Sequence, residues 1–219
     1  MVSPITTRLA DLLEHDLFIP RELSWLSFNA RVLQEAADPT VPLIERLRYL
    51  GIFSNNSDEF FRVRVAEVRR LISVSSGAGK QEAKDLLAAI QKRVVELQKE
   101  FDRIYVNLMS ELAARKIYLV NERQLDAGQG AFVQAFFTDK VLPELEPILL
   151  RDGQAIPPLN DESLYLAMDI LSGKTYYYAV VEVPTDRLPR FIEIPRRKSK
   201  GGKVFIALDN IIRACLPQI

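Results

Sequence analysis

The chain has 219 residues, and its 29 basic and 29 acidic side chains cancel. No global field therefore exists to hold a polyanion, and an anion site has to be built locally. The single cysteine excludes an intrachain disulfide, and the single histidine with it leaves no zinc site of the usual His and Cys type. The first 20 residues lack the basic start and apolar run of a secretory signal, and charges interrupt every apolar stretch before it could cross a bilayer. A reducing cytosolic setting is expected, with no transmembrane segment and with peripheral membrane association left open. Phosphate-loop, dinucleotide-binding and nucleophile-elbow signatures do not occur.

Residues 1–20 read as a lead-in containing His15, which has no identifiable partner for nucleophilic chemistry. From Ser24 to Ala37, Trp25, Phe28, Val32, Leu33 and Ala36 recur at helical spacing, with Asp38-Pro39 as the stop. Trp25 and Phe28 are assigned to the core rather than to a stacking platform. Pro42 opens a second helix whose stripe is Leu43, Leu47 and Leu50, up to Gly51.

A polar knot, Ser54-Asn55-Asn56-Ser57-Asp58-Glu59, then interrupts the apolar pattern. Asn56 fits a helix N-cap, with Glu59 closing a capping box, and a third helix is predicted from about Ser57 to Ile72 on a stripe of Phe61, Val65, Val68 and Ile72. Asp58 and Glu59 would then sit in a first turn, where the helix dipole favours carboxylates, rather than act as a metal or acid/base pair. Asn55 is left over, since one cap needs one asparagine. A carboxamide can offer both a donor and an acceptor to an adenine edge. Arg62, Arg69 and Arg70 share one sector of the third helix, with Arg64 apart, and suit either a solvated face or a polyanion contact.

Ser75-Ser76-Gly77-Ala78-Gly79 marks a tight reversal. From Lys80 to Lys116 no Pro or Gly occurs, and Leu86, Ile90, Val94, Leu97, Phe101, Ile104, Leu108 and Leu112 form a packing seam along one helix of roughly 50 Å. A helix from Ala127 to about Val141 follows, then a passage punctuated by Pro143, Pro147, Pro157 and Pro158. Leu164 to Leu171 and Thr175 to Pro184 read as a hairpin turning at Ser172-Gly173-Lys174. Arg190 to Ile194 and Val204 to Leu208 are further strands around a basic loop, Arg196 to Lys203, whose charge would also suit nucleic acid. A last helix from Asp209 to Leu216 is expected to be capped by Asp209 or Asn210. The fold class is α+β. An all-α domain with a long helix, residues 1–117, is followed by a mixed domain with a small, mainly antiparallel sheet, residues 118–219. That sheet is meagre enough to look unfinished.

Four strings resemble the polyphosphate kinase family: RELSWLSFNARVLQEAAD from Arg21, PLIERLRYLGIFSNNSDEFFRVRVAEVRR from Pro42, VNERQL from Val120 and LDNIIRACL from Leu208. The resemblance implies an N-terminal helical domain and part of a head domain. The two phospholipase-D-like domains with the carrier histidine and the magnesium ligands would lie beyond this chain. It implies a phosphotransferase that moves the ATP γ-phosphate reversibly to inorganic polyphosphate through a phosphohistidine, in a homodimer or homotetramer. The segment alone is expected to be catalytically silent and to hold no metal ligand. On the family's S-N-N-x-D-E-F string, Asn56 aligns with the ATP contact on the adenine side, and Asn55 is a second candidate. Ser57 stands where related sequences often have leucine. Two alternatives belong to other classes: a non-enzymatic helical dimerisation module, and a polyanion or nucleic-acid binder, although the resemblance leads us to expect no nucleic acid.

Overall fold

The computed structural model describes residues 19–150, 157–161, 163–172, 175–196 and 201–218. His15, the Gly173-Lys174 turn and most of the basic loop after Arg196 lie outside the described residues. The chain forms two compact units, Met1–Glu111 and Leu112–Ile219, and each has its own hydrophobic core. The α+β class stands, with a helical unit followed by a sheet-containing one.

In the first unit α1 (Arg21–Ala37) packs against α2 (Leu43–Glu59). The chain then passes through a π-helical turn, Phe60–Val65, into α3 (Ala66–Val74), and α4 (Gly77–Ala114) runs for 38 residues. Gly77 has a φ of +56°, which lets the backbone reverse directly into α4. The seam predicted for the long helix is the one observed: Ile90, Leu97, Ile104, Leu108 and Leu112 are buried, with Leu86, Val94 and Phe101 packed beside them.

The polar knot does not end a helix, which corrects the expected boundary. Ser and Asn cost a helix interior only fractions of a kcal/mol each relative to Ala, up to about 0.7. No Gly or Pro enforces a stop within the knot. Leu50, Phe53 and Phe60 are buried on one stripe that passes straight through it. Beyond it Val65 and Val68 are buried, so the core positions step by five between Phe60 and Val65, which is the spacing of a π turn. The turn absorbs a phase mismatch between two apolar stripes. For the same reason Phe60 is the core residue at 1% exposure, whereas Phe61, expected there, is 42% exposed.

Trp25 stacks on Phe60 with ring centroids 4.7 Å apart, but Phe28 is exposed, contrary to its core assignment. The inner face of α1 is formed instead by Leu26, Asn29, Ala30, Leu33 and Ala36. Arg46 is buried too. Its Nε donates to the Ala36 carbonyl in the last turn of α1 (2.9 Å), and its Nη1 pairs with Glu111 (2.9 Å). A carbonyl left without a helical partner is thereby satisfied.

Gly51 lies inside α2, and a Cβ added there would meet nothing within 4 Å. Glycine in a helix interior costs about 1 kcal/mol relative to alanine. Gly51→Ala is therefore expected to stabilise the helical unit by about 1 kcal/mol, read as a rise in the urea midpoint of Trp25 fluorescence. Trp25 is the chain's only tryptophan.

The second unit holds two three-stranded sheets rather than one. In the first, β1 (Ile117–Val120) runs parallel to β6 (Lys203–Ala207), and β6 is antiparallel to β5 (Phe191–Ile194). In the second, β4 (Thr175–Glu182) lies between β2 (Ile148–Leu150) and β3 (Tyr165–Ser172), all antiparallel. The hairpin and the β5–β6 pair were legible from pattern; β1 and β2 were not. The helix expected from Ala127 to Val141 is α5 (Ala127–Phe136), which widens into a π turn, Phe137–Val141. The terminal helix α6 (Leu208–Ala214) follows β6 directly. Its N-cap is Ala207 with no side-chain hydrogen bond, not Asp209 or Asn210. Val133, Phe137, Val181, Ile206, Leu208 and Ile211 are at the centre of this unit's core.

Candidate functional site

The paired asparagines stand on α2, one turn before the π segment, and Asn56 faces α1. Asn29 of α1 is fully buried. Its Nδ2 donates to the Phe53 carbonyl (3.1 Å) and to Ser57 Oγ (3.2 Å), and Ser57 Oγ donates to the same carbonyl (2.8 Å). Asn56, half-buried, donates from Nδ2 to Asn29 Oδ1 (3.0 Å). Asn56 is thus no N-cap, and the anticipated capping box with Glu59 does not form. Glu59 turns instead to Arg62 in an i,i+3 ion pair. Since no helix begins here, the dipole account of Asp58 and Glu59 falls as well.

Capping boxes do occur in the second unit, at Asn121 with Gln124 and at Asp126 with Gln129. Asn-x-x-Gln and Asp-x-x-Gln were the available signals for them. Asn55 is exposed, and its carboxamide has no hydrogen-bond partner among the described residues. Arg69 and Arg70 are exposed on α3.

Asn29 is the residue that linear reading passed over. It sits in a helical pattern as an ordinary polar position, and only the α1–α2 contact reveals it as the hub of the polar seam. Nearby, Arg21 Nε bonds Glu22 (2.7 Å) and Arg21 Nη2 reaches Glu67 on α3 (2.8 Å). These carboxylates, Glu22 first, raise the Arg21 pKa above its ordinary value. The network ties the start of α1 to the segment beyond the π turn.

Nucleophilic chemistry has little support in these residues. Cys215 is buried, and burial pushes its thiol pKa up. Among the described residues no three His, Cys, Asp or Glu side chains converge to hold a metal. A cavity of about 400 Å³ in the second unit is lined by Tyr118, Arg123, Gln124 and Gln129 among others, and contains none of the candidate site residues, although it takes in part of the VNERQL string.

Residues 18–120 match the polyphosphate kinase N-terminal domain, and residues 128–219 match the polyphosphate kinase middle domain. The chain belongs to the polyphosphate kinase family. It is 51% identical over 205 residues to a polyphosphate kinase of Vibrio cholerae, covering 93% of this chain and 29% of that protein. To the polyphosphate kinase of Escherichia coli K12 it is 45% identical over 208 residues, 94% of this chain and 30% of the relative. The crystal structure of polyphosphate kinase from Porphyromonas gingivalis superposes with a TM-score of 0.78 at 33% identity, over 92% of this chain and 30% of that one. The chain therefore spans under a third of the length of these family members.

Proposed function

We propose that this chain forms the nucleotide-side wall of a polyphosphate kinase, an enzyme that passes the ATP γ-phosphate reversibly to inorganic polyphosphate in the cytoplasm. The observation that carries this reading is the Asn56 carboxamide, anchored at its nitrogen end by Asn29 and without a protein partner at its oxygen end. An anchored amide at a helix surface presents a fixed polar edge to a base at little further entropic cost. Asn56 touches the adenine side of ATP or ADP, with Asn55 beside it. The contribution is positioning, because a carboxamide offers hydrogen-bond donors and an acceptor but no transferable proton or nucleophile at neutral pH. No step through magnesium is assigned to this chain.

Arg62, Arg69 and Arg70 are candidates for contact with the phosphate chain, Arg62 while also paired to Glu59. Assembly as a homodimer or homotetramer is supported by apolar surface on the β2-β4-β3 sheet, where Leu171, Tyr176 and Tyr178 are more than half exposed. Among the described residues no helix is long and apolar enough to cross a membrane.

The test uses full-length Vibrio cholerae polyphosphate kinase carrying residues 18–120 of this chain in place of its own. Asn56→Ala is expected to raise the half-saturating ATP concentration about tenfold, the loss of one good hydrogen bond, with the polyphosphate dependence unchanged. Unaltered ATP dependence overturns the nucleotide role. Salt-dependent binding to DNA with none to polyphosphate would favour a nucleic-acid binder instead.

A further inference from the structure

The polar seam between α1 and α2 permits one arrangement of its amides, and the reason is a single backbone carbonyl. The Phe53 oxygen can only accept, so the end of the Asn29 side chain that meets it at 3.1 Å must be the amide nitrogen. Ser57 gives its hydroxyl proton to the same carbonyl, which leaves an oxygen lone pair for the second Asn29 N–H. Both Asn29 hydrogens are then committed, and Asn29 Oδ1 faces Asn56. An amide oxygen also only accepts, so Asn56 must present its NH2 group inward, as it does at 3.0 Å. Asn56 Oδ1 is left pointing away from the helix pair. Among the described residues Asp209 Oδ1 is the one buried side-chain oxygen or nitrogen without a hydrogen bond, so Asn56 Oδ1 is open to solvent. Rotating either amide by half a turn would set oxygen against oxygen in a buried seam, at the cost of leaving polar groups unpaired.

Resting on the nucleotide reading above, we propose that Asn29 is a positioning residue that locks Asn56 as a hydrogen-bond acceptor, and so makes the site select the exocyclic amine of adenine over the exocyclic carbonyl of hypoxanthine or guanine. An unrestrained asparagine would turn to suit either base, offering its nitrogen to a carbonyl and its oxygen to an amine. With its nitrogen held by Asn29, Asn56 meets an oxopurine acceptor to acceptor. Discrimination then comes from a repulsive contact as much as from an attractive one. Asn29 exerts this without touching the nucleotide.

The experiment follows the Asn56 side-chain amide signals in heteronuclear NMR spectra of the 219-residue chain, titrated separately with ATP and with inosine triphosphate. In the unmodified chain ATP is expected to shift these signals and to bind about tenfold more tightly than inosine triphosphate, the discrimination expected of one hydrogen bond. Asn29→Ala should bring the two affinities together. Convergence of the two affinities, rather than an equal weakening of both, is the readout that a merely structural role for Asn29 would not produce. If Asn29→Ala fails to fold, Ser57→Ala removes one anchor of Asn29 and should lower the preference about threefold, a partial loss of the same bond. An ATP preference that survives Asn29→Ala or Ser57→Ala unchanged overturns the proposal, as does equal binding of both nucleotides by the unmodified chain. If ATP shifts no signal near Asn56, the nucleotide reading itself fails.

Discussion

Phe60→Ala is expected to lower the stability of the helical unit by about 3–5 kcal/mol, the usual cost of emptying a buried phenylalanine position. Phe60 is 1% exposed, stacks face to face on Trp25 and meets Phe61 edge-on at 6.0 Å. It is also the first residue of the π turn, so the void would open where two apolar stripes of different phase are joined. The surrounding helices cannot close it without moving that junction, which puts the expected cost toward the upper end of the range. Urea unfolding followed by Trp25 fluorescence reads the loss directly. Phe61→Ala is the control: at 42% exposure it should cost much less. Equal effects at the two positions would show that the π turn does not set the register of the core.

Gly202→Ala should disrupt the β1–β6 pairing, with a cost on the order of 3 kcal/mol from backbone strain and a lost ladder bond. Gly202 has a φ of +110°, and a Cβ built there would stand 2.0 Å from the Lys116 carbonyl oxygen and 2.6 Å from Lys116 Cβ. The obstacle is backbone rather than a flexible side-chain end, so it has nowhere to go. Lys116, itself at a φ of +62°, accepts from the Lys203 amide at 2.8 Å, and that bond opens the parallel ladder running from Ile117 and Lys203 to Val120 and Ile206. Hydrogen exchange of residues 117–120 and 203–207 should accelerate in the variant while the amides of α1 and α2 keep their protection. Unchanged protection of β1 would refute the argument.

These two positions mark the boundary between local and non-local information. Gly202 sits in a basic, glycine-containing loop that was readable as a connection between strands. Nothing in the loop announced that its glycine would press on Lys116, because β1 was itself unreadable. Ile117–Val120 is four residues long and directly follows a helix, and Ile148–Leu150 is only three residues. A strand that short is defined by its partner, and for β1 the partner is β6, more than 80 residues further on. The Tyr165–Glu182 hairpin is the opposite case, since both strands and their turn lie within a short stretch of chain.

The candidate site divides in the same way. Asn55 and Asn56 stood out because one helix cap needs only one asparagine, and the family resemblance implied a nucleotide contact for Asn56. Their local environment was misread: polar residues that often start helices here continue one, since Leu50, Phe53 and Phe60 bury the same face on either side. Burial of the flanks outweighs the small intrinsic preferences of Ser and Asn.

By itself the sequence determined the α+β class, the long helix and its seam, the hairpin and the family, because each is written in local periodicity or in contiguous strings. Only the tertiary structure decided that the Asn55-Asn56 segment lies within a continuous helix, that Phe60 rather than Phe61 enters the core, and that Asn29 holds Asn56. Those outcomes depend on how two helices meet, and a buried polar group is satisfied by whatever the packing brings within hydrogen-bond reach.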